Sequence, residues 1–276
     1  MISITMQLAY SLLAIAAITH GSPTPRDSQA ITSKNLAIRK SPDRLESANW
    51  AGMVVGPTDT SFFSVKGSFL APTPKLPAGT PKTAEGIWGG AAWVGIDGVA
   101  KDEGGLFQAG INWQVSNTAA GTLNTVWQAW YEWYPAPMVS FVAFEISSGD
   151  IITVQCTADN STYGICSVEN ESTGKKVSSG LKSPSSDAHL LGHHVDWIVE
   201  DFEAGFSEIA FADFGTVEWF DCEAGVRAAG DVNGNLPDTG HVYPSDGEEW
   251  VLLNIAGKPL TNTTATLARM TVNYIG

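Results

Sequence analysis

GLFQAGINW (Gly105–Trp113) and TVWQAWYEWY (Thr125–Tyr134) carry the pattern that decides the fold. Strand side chains alternate between two faces, so parity shows which residues share a surface. In the first stretch Phe107, Ala109, Ile111 and Trp113 form a wholly apolar face, opposite Leu106, Gln108, Gly110 and Asn112. In the second, Gln128, Trp130, Glu132 and Tyr134 oppose Trp127, Ala129, Tyr131 and Trp133. Neither stretch has the 3.6-residue period of a helix; both read as strands with one face in a core.

Outward from these two, short runs rich in Val, Ile, Phe, Trp and Thr alternate with Gly, Asn, Ser and Pro clusters. The expected strands are Ala51–Val55, Phe62–Phe69, Ala91–Ile96, Gly105–Trp113, Thr125–Tyr134, Val142–Ile146, Ile151–Ala158, Val195–Phe202, Val217–Phe220, Trp250–Ile255 and Ala268–Tyr274. Ala71–Gly86, with four prolines, reads as a surface loop. Many strands at near-regular spacing predict an all-β, antiparallel β-sandwich.

Parity collects Trp93, Asp97, Gln108, Asn112, Trp130, Glu132, Tyr134 and Glu200 as polar and aromatic residues turned away from the core. A solvated outer face is the bland alternative for any one of them. Large aromatics interleaved with amides and acids describe a binding groove better. Glu200 falls on the face of Ile198 and Phe202, and a carboxylate among apolar neighbours resists ionisation.

Residues 1–21 hold an apolar run, Leu8 to Ile18, too short to span a bilayer and placed as a secretory signal peptide. Five of the 15 basic and three of the 29 acidic residues lie before Ser47, which leaves a net charge of −16 beyond it. Residues 22–46 are therefore expected to be a basic propeptide or linker, with an unstructured tail as the plain alternative, and 47–276 the catalytic body. So acidic a body excludes nucleic acid as a natural partner, and no further stretch reads as a membrane span. Asn160, Asn170 and Asn262 head glycosylation sequons. Cys156 and Cys166 sit on two strand-like runs joined by a polar turn, within disulfide reach if the runs pair. Cys222 is then left over and expected to be buried. Three cysteines without closely spaced histidines make a poor zinc site, and HLLGHH (His189–His194) lacks the glutamate of zinc peptidases and reads as a polar loop.

SANWAG (Ser47–Gly52), AAWVGIDG (Ala91–Gly98), FQAGINW (Phe107–Trp113), AWYEWYP (Ala129–Pro135), WIVEDFE (Trp197–Glu203) and VEWFDC (Val217–Cys222), in this order, resemble the glutamic peptidases, or eqolisins. The resemblance implies two long, bent antiparallel sheets of concanavalin-like form. It implies a catalytic glutamine at Gln108 and a catalytic glutamate at Glu200, with supporting roles for Trp93, Asp97, Trp130, Glu132 and Tyr134. Asn112 departs from the pattern, since the best-known members carry Asp there; the amide keeps hydrogen-bonding capacity and drops a charge. The chain so read is a secreted, acid-active endopeptidase on polypeptide substrates, with no cofactor or metal and no need to be more than a monomer. Two rivals share the features of the groove. A glycosidase would use Glu132 and Glu200 as its acid and nucleophile. A carbohydrate-binding module would stack sugars on Trp130, Trp133 and Tyr134.

Overall fold

Strands with one apolar face need a second layer to cover it, and two sheets provide this for each other. The computed structural model describes residues 44–276 apart from 57–58, 101, 119, 205–206 and 232–237. The expected signal peptide and most of the basic segment lie outside the described residues.

The first sheet has nine strands. Across it run Arg44–Ser47, Glu248–Leu252, Trp50–Val55, Val195–Glu200, Gly86–Asp97, Leu106–Asn117, Leu123–Tyr134 and Val139–Ser140, and Ala210–Phe211 adds to Gly86–Asp97. The second has eight: Lys175–Lys182, Tyr163–Asn170, Ile151–Asn160, Thr60–Leu70, Thr216–Ala228, Arg269–Tyr274 and Thr261–Thr266, with Gly240–Val242 beside Thr216–Ala228. All pairings in the two sheets are antiparallel except Arg44–Ser47 with Glu248–Leu252 and Ala210–Phe211 with Gly86–Asp97. Residues 44–46, assigned above to the linker, are thus paired into the first sheet.

The parity reading holds. Phe107, Ala109, Ile111, Trp113, Trp197 and Val199 pack between the sheets with Val65, Phe69, Val154 and Trp219 of the second. A separate apolar cluster covers the other face of the first sheet, with Trp50, Trp93, Trp130, Ile198, Phe202 and Trp250 among its members. Trp50 meets Trp93 edge-on at 4.9 Å and Trp250 at 5.8 Å between ring centroids. Gly110 makes this packing possible, because a Cβ there would lie 2.2 Å from the Ala92 carbonyl oxygen and 2.5 Å from Trp93 Cβ.

Three expectations about strands need correction. Val142–Ile146 is not a strand: Val142 is 86% exposed, Ala143 has φ 54°, and the short strand nearby is Val139–Ser140. Lys175–Lys182 and Thr261–Thr266 are strands that the composition did not announce. Val217–Phe220 is the start of a strand running to Ala228, bent between Phe220 and Glu223 where Asp221 has φ 51°. Asn170 is fully buried, its Nδ2 donating to the Glu145 carbonyl at 3.2 Å and to Asp150 Oδ2 at 2.7 Å. A glycan on that nitrogen would take one of its two hydrogens and so displace at least one of these bonds. Asn262 is exposed and Asn160 half-buried.

Cys156 and Cys166 are directly opposed in the hairpin and joined by a disulfide, with Cα atoms 4.1 Å apart. Cys222 is free and buried, and burial pushes its thiol pKa up.

Candidate active site

Strand register, more than proximity in sequence, assembles the site. Residues paired across neighbouring strands share a face, and successive rows cross the first sheet. One row runs Asp196, Gly95, Gln108, Glu132. The next runs Ile198, Trp93, Gly110, Trp130, and the next Glu200, Ala91, Asn112, Gln128. At the other end Asp97 pairs with Leu106, and Leu106 with Tyr134. All eight residues singled out by parity therefore lie on one face of one sheet, the face away from the inter-sheet core.

Glu200 is fully buried at the end of its strand. Its Oε2 accepts the indole N–H of Trp93 at 2.7 Å and its Oε1 accepts Nδ2 of Asn49 at 3.1 Å. Loss of hydration pushes its pKa well above the ordinary glutamate value; the indoles of Trp93 and Trp50 pull against this, the Glu132 charge adds to it, and the Asn49 amide opposes it. The sequence pointed to the direction through Ile198 and Phe202, and both are in the apolar cluster around Glu200. Asn49 was missed as a partner. It sits inside SANWAG, and a polar residue directly before a buried tryptophan was the available signal.

Gln108, also fully buried, donates Nε2 to Glu132 Oε2 at 2.6 Å. Its Oε1 is buried without a hydrogen-bond partner among the described residues, and so is Nε1 of Trp130. Buried polar groups are nearly always paired, so Gln108 keeps a spare acceptor and Trp130 a spare donor on the face that carries Glu132 and Glu200. Asn112 is buried in the row of Glu200, and Tyr134 is half-buried.

Asp97 does something else. It ends its strand with φ 66°, and its carboxylate gathers a neighbouring segment through backbone N–H groups. Oδ2 accepts from Leu191 at 2.7 Å and Gly192 at 2.8 Å, and Oδ1 from His193 at 2.7 Å and His194 at 3.3 Å. His194 Nδ1 lies 2.5 Å from Glu103 Oε1, while Glu103 Oε2 accepts from Val99 and Ala100. The expected polar loop is thus real, but His194 is buried in it. Asp97, Glu103 and His194 bring ligand atoms within 4.8 Å of one another, as a metal site would. The donor set fits a cation poorly: both Asp97 oxygens already accept two N–H groups each, and both Glu103 oxygens are engaged.

Residues 48–274 match the model of the Peptidase A4 family. Aspergillopepsin-2 of Aspergillus niger is 33% identical over 79% of this chain and 77% of its own length. The crystal structure of scytalido-glutamic peptidase with a transition state analog inhibitor superposes with a TM-score of 0.64 at 27% identity, covering 83% of this chain and 98% of that one. That of aspergilloglutamic peptidase from Aspergillus niger gives 0.57 at 34% identity, over 68% and 99%.

Proposed function

The chain belongs to the peptidase A4 family, the glutamic peptidases, and is a peptide hydrolase; we propose that it is an acid endopeptidase in which Glu200 is general base and acid and Gln108 stabilises the oxyanion. The observation that carries this reading is the buried glutamate held by Trp93 and Asn49 on the same sheet face as a buried amide held by Glu132.

Amide hydrolysis needs a nucleophile stronger than water, stabilisation of the charge on the carbonyl oxygen, and a proton for the leaving nitrogen. In its ionised form Glu200 takes a proton from water as the water attacks the scissile carbonyl. It returns that proton to the departing amine. A raised pKa makes the carboxylate a stronger base for the first step, and the proton returned in the second is the one it has just taken. Gln108 offers N–H to the developing oxyanion and its Oε1 orients the water. Glu132 fixes which end of the amide points where. A glycosidase pairing of Glu132 with Glu200 is disfavoured, since Gln108 occupies Glu132 and the family match is to peptidases.

We place this activity outside the cell, on polypeptides, in a monomer freed of its leader. The disulfide favours an oxidising compartment, and among the described residues no helix is long and apolar enough to cross a membrane. Asn160 and Asn262 remain the candidate glycosylation sites. Incubating the mature protein with denatured protein substrate and with polysaccharides at about pH 3 to 5 tests the reading. Peptide release alone is expected; sugar release without peptide release would overturn it.

A further inference from the structure

Ser47 closes the strand Arg44–Ser47, and the chain turns from it through Asn49 into the strand that opens with Trp50. Ser47, Asn49 and Trp50 are all buried. The turn is pinned on two sides. The Ser47 carbonyl accepts the N–H of Leu253 at 2.9 Å, and the Asn49 carbonyl accepts that of Asp201, the residue after Glu200, also at 2.9 Å. Trp50 pairs directly with Glu200 on the neighbouring strand.

Within this turn the hydrogen bonds run in one direction. Ser47 Oγ accepts the backbone N–H of Asn49 at 3.3 Å and that of Trp50 at 3.0 Å. A hydroxyl has two acceptor sites and one proton to give, so with both sites taken Ser47 has only its proton left to offer. It donates to Asn49 Oδ1 at 3.4 Å. With its oxygen turned to Ser47, the Asn49 amide presents its nitrogen to the base, and Nδ2 donates to Glu200 Oε1 at 3.1 Å. Two backbone N–H groups thus set the polarity of Ser47, Ser47 sets that of Asn49, and Asn49 sets the bond that Glu200 receives.

We propose that Ser47 is a positioning residue: it locks the Asn49 amide with its nitrogen toward Glu200, so that this contact favours the ionised form of the carboxyl. Its meaning for the reaction rests on the reading of Glu200 as the base. An unlocked amide can turn its oxygen to a protonated Glu200 and bond the neutral form instead. The locked amide cannot, and it makes the base available at lower pH.

Neither Ser47 nor Asn49 carries a charge, so a change at Ser47 alters a bond and no ionisable group. The strands beside Glu200 set Trp50 and Ala91 opposite it, and Asn112 lies beyond Ala91. Glu132 acts on Glu200 through its charge. Asp196 and Asp201 belong to the same stretch of chain, and Glu46 and Glu248, on the strands beyond Trp50, are exposed.

Titration of the Glu200 carboxyl, followed by infrared difference spectra against Glu200→Gln, tests the lock without any turnover. Ser47→Ala is expected to raise the Glu200 midpoint by about one unit. Ser47→Thr, which keeps the hydroxyl, should restore the wild-type midpoint. In turnover, the acid limb of kcat/KM should follow, with a loss of about tenfold on that limb in Ser47→Ala and recovery in Ser47→Thr. A residue that only held the turn would lower Tm and leave the midpoint where it was. An unmoved midpoint in folded Ser47→Ala overturns the proposal. Should that variant not fold, Ser47→Cys decides. It fills nearly the same space with a weak donor, so the midpoint should again rise, and an unmoved one overturns the proposal. A raised midpoint with an unmoved acid limb supports the lock and overturns the reading of Glu200 as the base.

Discussion

Trp93 donates its indole N–H to Glu200 Oε2 at 2.7 Å, from the strand directly beside that of the glutamate. The bond favours the ionised form in a place where burial favours the neutral one, so the working pH of the base depends on it.

Trp93→Phe keeps most of the packing and removes that donor. A hydrogen bond to a charged group contributes about 1.5–3 kcal/mol, or roughly one to two pKa units. Glu200 then ionises at higher pH, and the acid limb of the kcat/KM profile should move upward by about one unit or more. A pH–rate profile measures this directly; an unmoved acid limb would remove Trp93 from the account.

Glu132→Gln should move the same limb the other way. The Glu132 charge raises the Glu200 pKa, so neutralising it lets Glu200 ionise at lower pH. The change also costs Gln108 its carboxylate acceptor and frees the amide to turn. Turnover should fall roughly ten- to a hundredfold, approaching the cost of losing an oxyanion donor. Opposite shifts from Trp93→Phe and Glu132→Gln are the signature of two groups acting on one carboxyl.

Gly110→Ala tests the packing beneath the site. The added methyl meets the Ala92 carbonyl and the Trp93 backbone, which cannot yield as a flexible side chain would. Overpacking of this kind costs about 1–3 kcal/mol, occasionally more. Urea unfolding should show at least that loss, and the displacement of Trp93 should depress turnover of the folded fraction as well.

Replacing both Cys156 and Cys166 by Ser opens a bridge within one hairpin of the second sheet. Chain entropy sets the loss at about 3 kcal/mol for so short a loop. The active-site face belongs to the first sheet, so kcat of the folded protein should be unchanged. A large fall in kcat at full folding would mean that the sheets are coupled more tightly than their packing implies.

Much of this site was legible from alternation alone. The apolar set Phe107, Ala109, Ile111 and Trp113 forced Gln108 and Asn112 to the opposite face, and the register confirms it. The faces of Lys175–Lys182 and Thr261–Thr266 were not legible, because these strands near the edge of the second sheet have mostly polar sequences and take their form from pairing with neighbours. Val142–Ile146 misled for the opposite reason: its apolar residues suit a strand, yet the chain turns at Ala143. Asn49 and Glu103 stayed hidden because their importance lies in which distant segments meet. Asn49 is 151 positions from the glutamate it holds, and Glu103 is 91 from His194. A local pattern can mark Asn49 as unusual, but it does not name the distant residue that it meets.

The most direct measurement is peptide turnover by Glu200→Gln, with folding checked by its melting curve. Glutamine fills the same buried space beside Trp93 and Asn49 but cannot take a proton from water. Turnover should drop at least roughly a hundredfold while the protein stays folded. A folded Glu200→Gln protein cleaving peptides at the wild-type rate would contradict the account.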